Sequence, residues 1–314
     1  MTIRQTFRFR VLLPAALLLS AAAVTAQSVV EQTLPVDIDR FVTNPEIKVT
    51  HEINAKASYV DSAKTRLYHV SVGNISEVHS SIDYVLSPEV SKNFLPRFGI
   101  SWERFGFDHS GTIPLPNTLQ SAAVVVGFDS TLSEDWLLRF ETKPGIYSDL
   151  KDVGFNDVNV PFIVGASWLV DNDLQVFAGI SVDLFREYPV LPGVGVRWEF
   201  DEDWTLMLVP PEPRIIYSID KNLQVYTGID VKGINARVSN SFGSARGRSN
   251  LDNALLNLTE VRAGAGLAYK VMDSIALNLE GGYMIYRRYD FYRANFHLTS
   301  DPAPYVQLSV NGSF

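Results

Sequence analysis

Two histidines sit two residues before a serine: His69 with Ser71, and His79 with Ser81. On a strand such spacing puts both side chains on one face, where an imidazole could act as general base for a serine nucleophile. The flanking pattern decides what the second pair could reach. Tyr68, Val70, Val72, Val78, Ile82 and Tyr84 form the apolar side, so His79, Ser81 and Asp83 turn the other way. No other constellation has catalytic spacing. Asp171, Asp173, Asp201 and Asp203 stand in two-residue turns without a full loop of oxygen ligands, so no metal is expected. His51, His109 and His297 are isolated, Cys is absent, and no Gly-rich phosphate loop precedes a helix, so no cofactor is expected either.

The segments that would position these groups alternate apolar and polar residues, the period of a strand between two environments. Fourteen are read: 46–60, 66–86, 95–107, 119–131, 136–147, 159–170, 174–186, 193–200, 204–210, 213–219, 223–238, 256–270, 275–289 and 304–314. Twelve is the alternative count, because the pair around Pro210, Pro211 and Pro213 is short and proline cannot donate to a ladder. Gly73-Asn74 could split the second segment into a hairpin. Short turns at 87–93, 132–135, 171–173, 201–203, 220–222 and 272–274 oppose longer connections at 108–118, 144–159, 187–192, 239–254 and 290–302. Short turns on one side and long loops on the other are the asymmetry of an outer-membrane barrel. The expected fold is therefore all-β, a single antiparallel transmembrane β-barrel over residues 46–314 with its long loops outside.

Register sharpens the reading. The apolar face falls on even numbers on most segments through 219, on odd numbers after Asp220, and on even numbers again in the last strand. Trp102, Trp136, Trp168, Trp198 and Trp204 all fall on that face, as expected of a girdle against outer-membrane lipid. The opposite face carries Arg139 with Glu141, Arg197 with Glu199, and Glu260 with Arg262 as two-residue pairs. Arg97, Glu103, Lys143, Asp183, Arg214, Asp230, Lys232, Lys270, Glu280 and Arg288 are assigned to the same interior. Such charges facing lipid near the midplane would cost about 2–4 kcal/mol per Arg or Lys, whereas a wet lumen accepts them. They are read as a lumen network, either a charge-selecting constriction or, the favoured reading, ion pairs bracing the wall.

Both chain ends agree with export. Arg4, Arg8 and Arg10 precede an apolar run from Val11 to Val24, and Val24-Thr25-Ala26 offers small residues before a cleavage point, so residues 1–26 read as a signal peptide. Residues 27–45 read as a periplasmic lead-in. Taking the three leader arginines from a net charge of −8 leaves −11, which argues against nucleic acid as a partner. At the other end Val306, Leu308, Val310 and Phe314 alternate with polar residues. This strand resembles the closing strand of bacterial outer-membrane barrels, and the resemblance implies an insertion signal for the barrel-assembly machinery.

Leu191-Pro192-Gly193, Gly195, Arg197, Trp198, Asp203-Trp204, Pro211, Pro213-Arg214 and Tyr217 form the most specific stretch. It resembles a family of bacterial outer-membrane barrels catalogued only as a domain of unknown function, with a likeness expected from about residue 46 to the end. That family implies a fold and a location but no activity. The expected role is non-enzymatic, either passage or binding of a small solute or a structural element. An outer-membrane lipid-modifying enzyme built on His79 and Ser81 is one alternative, although outer-membrane phospholipases and lipid A deacylases present their His and Ser to lipid. Uptake of hydrophobic compounds through a wall interrupted at Pro210 and Pro211 is another.

Overall fold

The computed structural model describes residues 49–109 and 113–314. The signal peptide and lead-in segment lie outside these residues. Fourteen wall strands run in chain order: β1 (Val49–Leu67), β2 (Val70–Pro88), β3 (Phe94–His109), β4 (Thr118–Thr131), β5 (Trp136–Thr142, continuing as Gly145–Ser148), β6 (Val158–Asn159, continuing as Phe162–Leu169) and β7 (Leu174–Val182). They continue as β8 (Val190–Asp201), β9 (Trp204–Leu208), β10 (Arg214–Ser218), β11 (Leu223–Arg237), β12 (Leu255–Met272), β13 (Ile275–Phe291) and β14 (Phe296–Ser300, continuing as Ala303–Ser313). Each strand written in two parts breaks at a proline, Pro144, Pro161 or Pro302, whose nitrogen carries no hydrogen for the ladder.

Every strand pairs antiparallel with its neighbour in sequence, and β14 returns to β1 with Ala57 opposite Leu308, closing the cylinder. Closure pairs each strand on both sides, so backbone groups are satisfied between strands except along Val190–Gly195 of β8, which has no partner on the β9 side. The short turns are built by their aspartates: Asp171 Oδ1 accepts from the amides of Asp173 (2.9 Å) and Leu174 (2.8 Å), and Asp220 does the same for Asn222 and Leu223.

Several expectations need correction. The first hairpin turns at Tyr68-His69, with Tyr68 at φ 57°, and neither 61–65 nor Gly73-Asn74 breaks it. Two bulges, between Val60 and Ala63 and between Thr65 and Arg66, keep that polar stretch in the ladder. Parts of the 144–159 connection belong to β5 and β6, and the 290–302 connection shrinks to a single helical turn at Tyr292–Ala294. The parity switch comes one strand early, within Val209–Pro213, so Ile215 of β10 and Ile219 just after it face outward. A further slip opposite Val261 and Arg262 reverses the end of β13. There Arg287 is buried inside, while Arg288, 39 % exposed, faces out and pairs with Asp290. Lys270, near the end of β12, is exposed and pairs with Asp273 of the following turn.

At the long-loop end the tip of β11 meets the tip of β5. Arg237 pairs with Ser148, and the Asp149 amide donates to the Arg237 carbonyl at 3.1 Å. The five strands between them, β6 to β10, therefore stop below that rim. Above the lumen, buried side chains from strand ends and loops form one apolar cap, including Phe105, Leu115, Phe185, Phe242, Leu256 and Phe291.

Candidate functional site

Beneath the cap the inward charges bridge one another across the interior. Arg97 donates two hydrogen bonds to Glu52 (3.2 and 3.1 Å) and one to Glu141 (3.2 Å), with Asp129 at 3.6 Å. Arg139 does not pair with Glu141 as its spacing suggested; its fork donates twice to Asp129 on β4 at 2.6 Å. Successive inward residues on a strand stand about 7 Å apart, whereas a partner on the adjacent strand is closer.

Glu260 and Arg262 do pair, within a larger cluster. Arg262 reaches Glu77 on β2 (3.1 Å) and Ser58 on β1 (2.8 Å), and Arg287 joins Glu260 (2.6 Å) and Glu77 (3.2 Å). All four charged groups are fully buried. Arg287 escaped the sequence reading because the bulge moves it to the inner face. Arg214 contacts Glu212 and Glu280, and Lys56 of β1 reaches Glu212 at 2.7 Å. Arg197 and Glu199 pair with each other, half-buried on β8 near the short turns.

The candidate His-Ser pair lies in this interior. His79 is fully buried, its Nε2 2.9 Å from Glu103 Oε1 and its ring 4.5 Å from that of Phe105. Ser81 is buried too. His69 and Ser71 are exposed at the first hairpin turn.

On the outer surface Trp136 and Trp168 stack at 5.8 Å, and both are exposed, as are Trp198 and Trp204. Trp102 departs from the girdle expectation: it sits in the middle of β3, opposite Ile82 and Ala122. Val306 and Leu308 are also exposed, Val310 is half-buried, and exposed Phe314 stacks on His51 at 5.8 Å.

An apolar pocket of about 130 Å³, partly open, lies at the wall between β5 and the top of β9. Leu137, Ile163, Phe177 and Leu191 line it from the inner face, together with Val209 and Pro210. Three paired glycines cross it, Gly165 opposite Gly179 and Gly179 opposite Gly193. A side chain at Gly193 would meet nothing within 4 Å, so the inner face there is bare. The wall beside it is incomplete. Pairing between β8 and β9 begins only at Val196 and Leu208, which leaves Val190–Gly195 without a partner on that side. A membrane-spanning strand needs roughly 9–11 residues. β9 and β10 have five each.

Residues 97–313 match the family described as Domain of unknown function (DUF6268). That match begins downstream of residue 46, from which a likeness was expected. No curated protein matches the chain by sequence. Among solved structures, the chain is similar to an outer membrane channel from Pseudomonas putida F1, with 10% identity, 90% of this chain and 100% of that one covered, and a TM-score of 0.45. It is also similar to the P. putida toluene transporter TodX (9% identity, 86% and 90% covered, TM-score 0.38). A third is the Ralstonia pickettii toluene transporter TbuX (8% identity, 94% and 97% covered, TM-score 0.39). These likenesses concern the fold.

Proposed function

We propose that this chain, which belongs to the DUF6268 family, is a non-enzymatic outer-membrane barrel that binds a small apolar molecule at its wall and passes it along that wall. The observation that carries this reading is the apolar pocket beside the unpaired edge of β8, where a hairpin too short to span the membrane leaves the wall open at hydrocarbon depth. Pockets lined mainly by apolar groups with a few polar ones suit small organic ligands. The exposed apolar outer face supports a lipid setting. A charge-selecting aqueous constriction is disfavoured, because the arginines and carboxylates that would select are bonded to one another beneath an apolar cap. Lipid hydrolysis at His79 and Ser81 is disfavoured because lipid has no access to either group.

The test is equilibrium binding of a small apolar fluorophore, such as an aminoanthracene, to the purified barrel in nanodiscs. The wild type is expected to bind saturably, and Gly193→Phe to fill the bare inner face and abolish binding while the barrel stays folded by its heat-modifiable gel mobility. Absence of saturable binding by the wild type, or unchanged binding by the folded variant, overturns the reading.

A further inference from the structure

At the long-loop end three arginines stand on aromatic rings instead of beside carboxylates. The guanidinium carbon of Arg246 lies 4.2 Å from the Phe242 ring, that of Arg248 4.9 Å from Phe296, and that of Arg293 5.6 Å from Tyr292. The rings are contiguous: Phe291 sits 5.9 Å from both Phe242 and Phe296, and Tyr292 follows it in the chain. Arg246 donates to the Phe242 carbonyl at 3.0 Å. Arg248 and Arg293 are exposed and form no side-chain hydrogen bond or ion pair with any described residue. The acid of this loop is engaged elsewhere. Asp252 accepts from the amide of Ser244 at 2.7 Å and from its hydroxyl, and these bonds hold its carboxyl below the usual range, so it stays an anion turned toward Ser244. In a chain with 35 acidic residues against 27 basic ones, exposed arginines without an ion pair to any described residue stand out.

We propose that Arg246, Arg248 and Arg293 form a receptor for phosphate groups on the headgroup of a lipid in the leaflet beside the long loops. A guanidinium fork matches two phosphate oxygens, and stacking on a ring holds the fork in place while leaving its N–H edges free. Continuity with the outer wall favours a lipid over a soluble anion. Tyr68, 57 % exposed, packs edge-on against His297 next to Phe296, and Tyr286 is exposed on the outer face of β13. Such amphipathic rings belong at the headgroup level. The inference shares with the proposed function only the membrane setting and is independent of the wall pocket.

Native mass spectrometry of the full barrel, released from micelles doped with one lipid at a time, tests it. The probes are a glucosamine lipid bearing two phosphates, the same lipid without phosphate, and inorganic phosphate as competitor. The wild type is expected to retain the phosphorylated lipid at least ten-fold better than the dephosphorylated one, with retention falling as salt rises. Arg248→Ala/Arg293→Ala should lose that preference, while Lys270→Ala at the opposite rim keeps it. Arg248→Gln/Arg293→Gln serves if the alanine variant fails to fold. Equal retention of the two lipids, or an unchanged preference in either folded double variant, overturns the proposal. Displacement of the lipid by equimolar inorganic phosphate overturns the commitment to a headgroup and leaves a free-anion site.

Discussion

Lys56 on β1 and Glu212 beyond β9 stand 2.7 Å apart, so a cation on one side of the lumen is tied to a carboxylate on the other. Together with the Arg262 bridge to Glu77, this contact braces the interior from one side of the wall to the other. The wild type in planar bilayers is accordingly expected to show no steady ion conductance, and a stable open level would contradict the braced interior. Glu212→Ala should destabilise the barrel by about 1–3 kcal/mol, because Lys56 and Arg214 each lose a partly buried partner. Lys56→Ala/Glu212→Ala should cost less than the two single changes combined, as measured by denaturant unfolding in detergent.

Arg262 serves Glu260, Glu77 and Ser58 together. Removing it as Arg262→Ala strands two buried carboxylates, partly relieved by Arg287. A loss of about 3–5 kcal/mol is expected. Arg139→Ala, which leaves Asp129 with Arg97 at 3.6 Å, should cost less. Urea midpoints of the two variants against the wild type check the order.

The glycine row predicts different outcomes at Gly179 and Gly193. A Cβ at Gly179 would lie 2.7 Å from the Val164 carbonyl oxygen and 2.9 Å from the Gly165 Cα, so Gly179→Ala must shift backbone. It should destabilise by about 1–3 kcal/mol, as overpacking does. Gly193→Ala meets nothing within 4 Å and should be tolerated. Thermal unfolding read by heat-modifiable mobility separates them.

The Ser244–Asp252 clasp carries a pH dependence. The hydroxyl and amide of Ser244 depress the Asp252 carboxyl, so its ordering effect is complete above the unfolded carboxylate range and is lost as pH falls through the lower folded value. Amide exchange at Ser244 should stay protected near neutrality and open in acid. Asp252→Asn should remove the acid transition, and exchange that is equally fast at every pH in the wild type would exclude the clasp.

Phe314 closes the ladder on His51: the His51 amide donates to the Phe314 carbonyl at 2.7 Å, and the Phe314 amide to the His51 carbonyl at 3.0 Å. Deleting it removes both bonds and the exposed terminal ring. A several-fold drop in folded barrel recovered from membranes is expected if barrel-assembly machinery reads this end, while refolding of urea-denatured protein into detergent should change little.

The sequence alone determined that this chain alternates between two environments, and from that followed an antiparallel barrel of fourteen or twelve strands, the outward tryptophans and most of the inward charge; the structure decided for fourteen. Alternation is local: each residue's face depends on its neighbours two positions away, which sequence displays directly. The Asp171 and Asp220 turns were legible for the same reason. Partnership was not. Arg139 chose Asp129 over Glu141, Arg287 replaced Arg288 inside, and Arg262 found Glu77, because ring closure and bulges set which strands face each other and shift register without marking the pattern. The cap, the bare patch at Gly193 and the arginine-bearing rings likewise join residues far apart in the chain. Only the closed three-dimensional wall could bring them together, since contact across a barrel depends on its circumference and not on any spacing along one strand.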